Sequence, residues 1–209
     1  MKNYHKIVAH YEACLKKYGD TPLGVDWPNA REAQIRYQIM LEVMTFAKSH
    51  QERIKLLDFG CGSSHLLDYI NRMGNTDIDY SGIDLSQEFI AFSRKKYPDI
   101  TYYLGDILDK NFHLPSFDFI VMNGVFTEKL TLDFEEMWEY FTAVIKKVAS
   151  YSTQGLAFNL MSTHVDWERG DLFHVPLDRL AAFLTREFSR NYIIRNDYGL
   201  YEYTVYLYK

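Results

Sequence analysis

The sequence has little cysteine and lacks any long apolar run. Two cysteines, Cys14 and Cys61, are too few for a disulfide framework or a thiolate metal site. No apolar run approaches the roughly 18 residues that a bilayer span needs. The N-terminus also lacks the apolar segment of a secretory signal peptide. We therefore expect a soluble, cytoplasmic protein without a membrane partner.

Positive charge is also scarce. The chain has 23 Lys+Arg against 28 Asp+Glu, a net charge of −5, and no basic block. A nucleic-acid partner normally requires the opposite balance, because phosphates repel acidic surfaces. Internal repeats and low-complexity segments are absent as well. The acidic balance favours a small-molecule substrate over a nucleic acid. For the assembly we expect a monomer or a homodimer, between which the sequence does not choose.

What is present is typical of one globular core. The chain has 209 residues, of which 47% are apolar and 24% are charged. Apolar spacing predicts a helix over Tyr4–Tyr18 that ends at Gly19. Asn29 is placed to cap a second, long helix, whose apolar side carries Ile35, Ile39, Val43, Phe46 and Ala47. We assign residues 1–52 to a helical N-terminal extension, a lid or pocket wall, and residues 53–209 to the main domain.

After residue 53, short apolar strands alternate with amphipathic helices. The predicted strands are Ile54–Phe59, Ile78–Asp84, Ile100–Leu104, Phe117–Met122 and Gly155–Met161. The predicted helices are Ser64–Met73, one from Ser86 to before Pro98, Asp133–Ala149, and one from Pro176 to about Phe188. Two final β-rich runs, Tyr192–Asn196 and Tyr201–Tyr208, are too close for an intervening helix and predict a hairpin. This order indicates a three-layer α/β fold with a mostly parallel sheet and an antiparallel last strand.

The first strand ends in the segment Asp58-Phe59-Gly60-Cys61-Gly62. Two glycines one residue apart allow a tight turn and a close approach of a ligand to the backbone. Asp58 would repel the pyrophosphate of a dinucleotide but would attract a ligand that carries an amino group and a sulfonium. The third glycine of the dinucleotide fingerprint is replaced by His65. The turn therefore favours an adenosyl amino acid over NAD, with Cys61 as a small buried spacer.

The ends of the next strands carry further candidate ligand-binding residues, since ligands of open parallel sheets bind at these ends. Asp84 lies 24 residues after Gly60, near the spacing of about 20 for an acid that binds ribose hydroxyls. Asp106, after the third strand, is placed to accept from an adenine amino group. Asn123 and Gly124 end the fourth strand beside the cofactor. Three acids at three successive strand ends argue against coincidence.

From about Ile54 to Lys209 the chain resembles the class I S-adenosylmethionine-dependent methyltransferases. Its N-terminal stretch, with Tyr18-Gly19-Asp20, Val25-Asp26-Trp27, Arg31 and Gln34-Ile35-Arg36-Tyr37, is similar to small bacterial members of that family. The Asp58-x-Gly60-x-Gly62 turn, Asp84, Gly105-Asp106 and the terminal hairpin occur in that family's order. The resemblance implies a Rossmann-like, seven-stranded sheet with the last strand antiparallel. It also implies that the methionine part lies over Gly60–Gly62, the ribose on Asp84, and the adenine near Leu85, Asp106 and Ile107.

One position departs from the family pattern. The family's usual third glycine is Ser64 in this sequence. We expect the serine hydroxyl to cap the following helix, with altered turn geometry and retained cofactor binding.

Catalytic residues are poorly encoded, because the cofactor carries the reactive methyl group and the protein mainly aligns the acceptor. In the loop after the fifth strand, His164 and Asp166 are candidates for a base and its orienting group. The alternative is an ordinary lid loop with exposed histidines. The predicted substrate pocket contains Tyr11, Trp27, Arg31, Arg36 and Tyr198. Arg36 is a candidate for pairing with a carboxylate of cofactor or substrate. The histidines show no metal-ligand spacing, so no metal is predicted.

The sequence thus predicts transfer of a methyl group from S-adenosylmethionine to an O or N atom of a small molecule, with S-adenosylhomocysteine as product. The alternative is a catalytically silent methyltransferase-like protein that binds these two compounds. A short-chain nicotinamide reductase would need a Tyr-x-x-x-Lys pair, which the sequence lacks. It also lacks the Asn/Asp-Pro-Pro-Tyr loop of nucleobase and glutamine N-methyltransferases.

Overall fold

The computed structural model describes residues 4–27, 29–46 and 53–209. The helices are α1 (His5–Tyr18), α2 (Ala30–Leu41), α3 (His65–Arg72), α4 (Gln87–Lys96), α5 (Phe134–Ala149) and α6 (Leu177–Glu187). The strands are β1 (Ile54–Phe59), β2 (Ile78–Asp84), β3 (Thr101–Leu104), β4 (Phe117–Met122), β5 (Ser152–Ser162), β6 (His174–Val175), β7 (Tyr192–Arg195) and β8 (Glu202–Tyr208). Strands β1, β2 and β4 have the predicted bounds. None of the helices in the described ranges is long and apolar enough to cross a membrane.

The strands form one mixed sheet in the order β3-β2-β1-β4-β5-β8-β7. The first five are parallel, and β8 runs antiparallel to both β5 and β7. This confirms the predicted seven-stranded arrangement with an antiparallel last strand. The sequence analysis missed one strand, β6, which brings the total in the described residues to eight. Its two residues pair in parallel with Met161 and Ser162. Two residues after a polar loop are too few to show a periodicity of two.

Helices cover both faces of the sheet, as predicted for a three-layer fold. One apolar cluster joins a sheet face to α1, α5 and α6 and includes the buried rings of Phe141, Phe158 and Phe183. The other joins the opposite face to α2 and α3 and includes Met40 and Leu67. Burial of both helix layers therefore fixes the sheet between them and leaves the strand ends free to form a site.

The second helix is shorter than its apolar pattern indicated. Asn29 caps it as predicted, because its side-chain oxygen accepts hydrogen bonds from the backbone of Arg31 (3.0 Å) and Glu32 (3.3 Å). The helix ends at Leu41 and continues as a 3₁₀ turn, in which Val43 is buried. Beyond that turn, Phe46 is exposed and Ala47 lies outside the described residues.

Candidate functional site

A cavity with an empty volume of about 1060 Å³ lies at the carboxyl ends of β1, β2 and β4. The strand order reverses between β1 and β4, and such switch points are where open α/β sheets bind ligands. Of the predicted site residues, the cavity is lined by Asp58, Gly60, Cys61, Gly62, Asp84, Leu85, Gly105, Asn123, Gly124, Tyr11 and Trp27. The other predicted residues do not line it: Asp106, Ile107, Arg31, Arg36, Tyr198, His164 and Asp166.

The glycine turn after β1 is fixed by hydrogen bonds to the end of β2. Gly60 has a φ of 76°, and a Cβ added there would lie 2.7 Å from Val125 Cγ2. The Asp84 carboxylate accepts hydrogen bonds from the backbone N–H of Gly62 (3.0 Å) and of Ser86 (2.9 Å). Asp84 therefore joins the two backbone segments that form the floor of the cavity.

Asp58 and Cys61 are buried in this floor. The Tyr80 hydroxyl donates a 2.7 Å hydrogen bond to Asp58. Burial raises the pKa of Asp58 to about 7, while the Tyr80 hydrogen bond opposes the shift and the Asp84 charge adds to it. Burial also raises the pKa of the Cys61 thiol. Cys61 is thus a poor nucleophile, whereas Asp58 is poised to gain or lose its charge near neutral pH.

The charges around the cavity suit a cationic ligand. Asp58 and Asp84 line it, and within the described part of the chain no lysine or arginine does. Both polar atoms of the Asn123 amide are buried without a hydrogen-bond partner among the described residues. Since buried amides are normally paired, this amide is available to hydrogen-bond a ligand at the cavity wall.

Ser64 does not cap the following helix, which corrects the sequence-based expectation. It adopts the left-handed conformation, with a φ of 60° and a ψ of 35°. Its hydroxyl donates to Ser93 Oγ (2.9 Å) and lies 2.8 Å from the Tyr102 hydroxyl. Ser93 Oγ in turn donates to the Gly62 carbonyl at 2.8 Å. The unusual residue at this position therefore supports the glycine turn through a buried chain of hydroxyls.

Substitutions at Ser64 should distinguish the energetic cost of its left-handed backbone from the stabilisation by its hydroxyl hydrogen bonds. Ser64→Gly removes left-handed strain of about 1–2 kcal/mol, and it also removes a buried hydrogen bond whose loss costs about 1–3 kcal/mol. We expect its free energy of unfolding to stay within about 1 kcal/mol of the wild-type value. Ser64→Ala keeps the strain and loses the hydrogen bond, so it should lie about 1–3 kcal/mol below the wild type in denaturant titrations. Equal stability of the alanine variant and the wild type would show that the hydroxyl chain contributes nothing.

The N-terminal segment forms the opposite wall of the cavity. Trp27 lies against Gly124, where an added Cβ would come within 2.7 Å of the indole ring. The Tyr37 ring lies 5.7 Å from that indole, and the Arg36 guanidinium lies 5.1 Å from it. The sequence analysis missed other residues of this wall, namely Tyr4, Ile7, Val8, Val25 and Tyr37. The apolar stripe of the first helix was the signal for Tyr4, Ile7 and Val8, and such a stripe serves equally well for core packing. Val25 and Tyr37 lie outside that helix.

Two residues predicted near the adenine have partners within the protein. Asp106 accepts hydrogen bonds from the Tyr4 hydroxyl (2.6 Å) and from the backbone of Leu108 (2.8 Å). Ile107 is buried in the apolar core. In the described conformation, the Asp106 carboxylate is therefore hydrogen-bonded to Tyr4, just before α1. Its contact with an adenine amino group stays a prediction.

Arg36 pairs with Glu202, not with a ligand. Its Nε donates a 2.9 Å hydrogen bond to the buried Glu202 carboxylate, which also accepts from Asn159 Nδ2 at 3.0 Å. Asn159 Oδ1 accepts from the backbone N–H of Gly124 at 2.8 Å. A carboxylate of the chain is thus the partner of Arg36 in the described structure, and pairing with a carboxylate of cofactor or substrate stays a prediction. The arginine is linked to Gly124 at the cavity wall through three successive hydrogen bonds.

The remaining predicted residues lie apart from the cavity. His164 and Asp166 are exposed on the loop after β5, and Arg31 is exposed on α2. The Tyr198 hydroxyl is 2.9 Å from Thr204 Oγ1, at the hairpin. The described conformation does not bring these four side chains to the cavity, so their catalytic and substrate-binding roles stay predictions.

The chain matches a known protein family over part of its length. Residues 56–148 match the family model described as a methyltransferase domain. The chain is 28% identical over 153 residues to Rv1506c, an inferred methyltransferase of Mycobacterium tuberculosis, covering 71% of this chain and 89% of that one. It is 25% identical over 169 residues to a fatty-acid O-methyltransferase of Mycolicibacterium smegmatis, covering 78% of this chain and 57% of that one.

Solved structures support the fold. The magnesium protoporphyrin IX methyltransferase of Synechocystis PCC 6803, solved with bound S-adenosylmethionine, superposes with a TM-score of 0.64. That alignment covers 100% of this chain and 94% of the other at 13% sequence identity. At this identity the likeness concerns the fold, including the order of the strands.

Proposed function

Because the chain belongs to the class I S-adenosylmethionine-dependent methyltransferases, we propose that it methylates an O or N atom of a small-molecule acceptor. The observation that carries this proposal is the cavity at the strand switch point, which is lined by two carboxylates and by no lysine or arginine of the described residues. S-adenosylmethionine supplies an activated methyl group there, so the protein's task is to bind and align.

The cavity residues fit the parts of this cofactor. Asp58 lies where the cofactor's ammonium and sulfonium would gain from a negative charge. The Asp84 carboxylate, already held by two backbone N–H groups, has lone pairs left for ribose hydroxyls. The orphaned Asn123 amide provides a donor and an acceptor at the end of β4. We assign cofactor binding to these residues, together with the glycine turn.

The N-terminal extension is proposed as the acceptor wall and lid. Tyr11 and Trp27 line the cavity from this side, as does Tyr4, whose ring stacks at 4.4 Å on that of Tyr140 of α5. An aromatic wall favours an acceptor with an apolar body over a highly charged one. The relationship to a fatty-acid O-methyltransferase makes carboxylic acids with apolar tails the first acceptors to examine.

Methyl-transfer assays with separate classes of acceptor test this proposal. The protein is incubated with S-adenosylmethionine carrying a deuterated methyl group and with fatty acids, phenols or amines in separate reactions. We expect S-adenosylhomocysteine and a deuterium-labelled O- or N-methyl product from one class. Binding of the cofactor without any product from these classes favours the catalytically silent alternative, and a C- or S-methyl product contradicts the assignment of the acceptor atom.

The protonation of Asp58 should make cofactor affinity depend on pH. Below its pKa of about 7 the carboxyl is neutral, and the ligand's ammonium loses an attractive charge. Binding must then release a proton, so the affinity for S-adenosylhomocysteine should rise about tenfold per pH unit up to about pH 7 and then level off. Asp58→Asn should abolish this dependence. Asp79→Asn is the matched control, because Asp79 is an exposed aspartate of β2 that does not line the cavity. A pH dependence that persists in Asp58→Asn would assign the titration to another group.

A further inference from the structure

A second cluster of ligand-type side chains lies behind the N-terminal wall. His10 and Cys14 occupy successive turns of α1, with His10 Nε2 3.9 Å from Cys14 Sγ. Asp26 reaches the same histidine nitrogen from the turn after residues 22–25, at 2.9 Å. Glu128, in the loop after β4, lies 3.7 Å from it. Three potential ligands thus form one cluster, and a fourth, Glu128, lies beside its histidine.

The geometry is that of a compact metal site. The ligand atoms of His10, Cys14 and Asp26 all lie within 4.8 Å of one another. Tetrahedral Zn²⁺ at ordinary bond lengths separates its ligand atoms by about 3.3–3.6 Å. The distances of 2.9, 3.7 and 3.9 Å from the imidazole nitrogen differ from these values by less than 1 Å. The distances around the imidazole nitrogen are therefore close to those of a tetrahedral site.

The local backbone also positions these groups. Asp26 has a φ of 55°, a left-handed conformation that aspartate adopts more readily than most residues. Glu128 lies 3.7 Å from the imidazole nitrogen of His10 that Asp26 also reaches. The His10 and Asp26 side chains are 35% and 37% exposed, so an ion can enter.

We propose that His10, Cys14, Asp26 and Glu128 bind one zinc ion. One imidazole, one thiolate and two carboxylates form a donor set that suits this borderline-soft cation better than Mg²⁺ or Ca²⁺, which prefer oxygen alone. The ion joins α1 and the 22–26 turn to the loop after β4. Those segments carry Tyr11 and Gly124 of the cavity, so the zinc site holds the N-terminal wall in place.

The sequence analysis predicted no metal, whereas the proposed zinc site follows from the fold. Two cysteines are too few for a thiolate site, and the histidines have no regular spacing. Only the fold brings the carboxylates of Asp26 and Glu128 to the helix that carries His10 and Cys14.

Cobalt absorption tests the site without using catalytic activity. The untagged chain is stripped with a chelator and titrated with Co²⁺. We expect one equivalent to produce the visible bands of tetrahedral cobalt and a near-ultraviolet thiolate-to-cobalt band, both removed by Zn²⁺. Cys14→Ser should lose the thiolate band. His10→Ala and Asp26→Asn should weaken zinc binding by at least about 10–100-fold.

The control is His113→Ala, at an exposed histidine elsewhere on the surface, which should bind cobalt as the wild type does. Circular dichroism of each variant establishes that it is folded. Stoichiometric Co²⁺ without tetrahedral bands, or bands unchanged by Cys14→Ser and His10→Ala, would overturn the proposal. The cluster would then be a hydrogen-bonded group that retains its protons.

Discussion

Replacing Arg36 by methionine should lower the free energy of unfolding by about 3–5 kcal/mol. The reason is the buried partner: the Glu202 side chain is 1% exposed and forms its ion pair with Arg36. Methionine keeps most of the apolar stem that packs beside Trp27, so the drop in the free energy of unfolding measures the loss of the guanidinium charge. Without the guanidinium, the carboxylate must either stay charged in an apolar environment or take up a proton. Denaturant titrations monitored by circular dichroism measure the difference.

Arg31→Met is the matched control. Arg31 is an exposed arginine on the same helix, so its replacement should change stability by less than about 0.5 kcal/mol. The double variant Arg36→Met, Glu202→Leu should recover much of the loss, because it removes the buried charge together with its partner. If Arg36→Met proves as stable as Arg31→Met, the ion pair does not support the cavity from behind as the structure indicates.

Replacing Asp84 by alanine should weaken S-adenosylhomocysteine binding by about 1–3 kcal/mol, or about 5–150-fold. The substitution removes the proposed acceptor for ribose hydroxyls. It also leaves the N–H groups of Gly62 and Ser86 without their side-chain partner. Asp84→Asn keeps one acceptor oxygen and should retain part of the affinity. Calorimetric titrations give the affinities directly.

Asp79 provides the control for Asp84, because it is an exposed aspartate of the same strand. Asp79→Ala should bind S-adenosylhomocysteine as the wild type does. Equal affinities of Asp79→Ala and Asp84→Ala would show that the carboxylate at the end of β2 does not contact the ligand.

The sequence predicted the sheet well because its signals are local. Strands β1, β2 and β4 are short apolar runs bounded by turns, and their bounds follow from hydropathy alone. The antiparallel position of β8 follows from the short spacing after β7, which leaves no room for a crossover helix. Only β6, with two residues, had no pattern to detect.

The site was predictable where its residues directly follow a strand in the sequence. The glycine turn and the acids at strand ends are placed by the strands that precede them, so Asp58 and Asp84 reach the cavity. Arg36 has its partner 166 residues away, and no local pattern indicates such a pair. His164 lies on a loop whose conformation depends on contacts with other segments, which is why its predicted position beside the cavity does not appear in the structure.

The most direct test of the account is a calorimetric titration of the wild-type chain with S-adenosylhomocysteine. The account predicts binding of one molecule per chain with micromolar affinity, since the cavity, its two carboxylates and the orphaned Asn123 amide form a site for that ligand. Absence of binding by a folded, wild-type protein would contradict the assignment of this cavity to S-adenosylmethionine and, with it, the proposed methyl transfer.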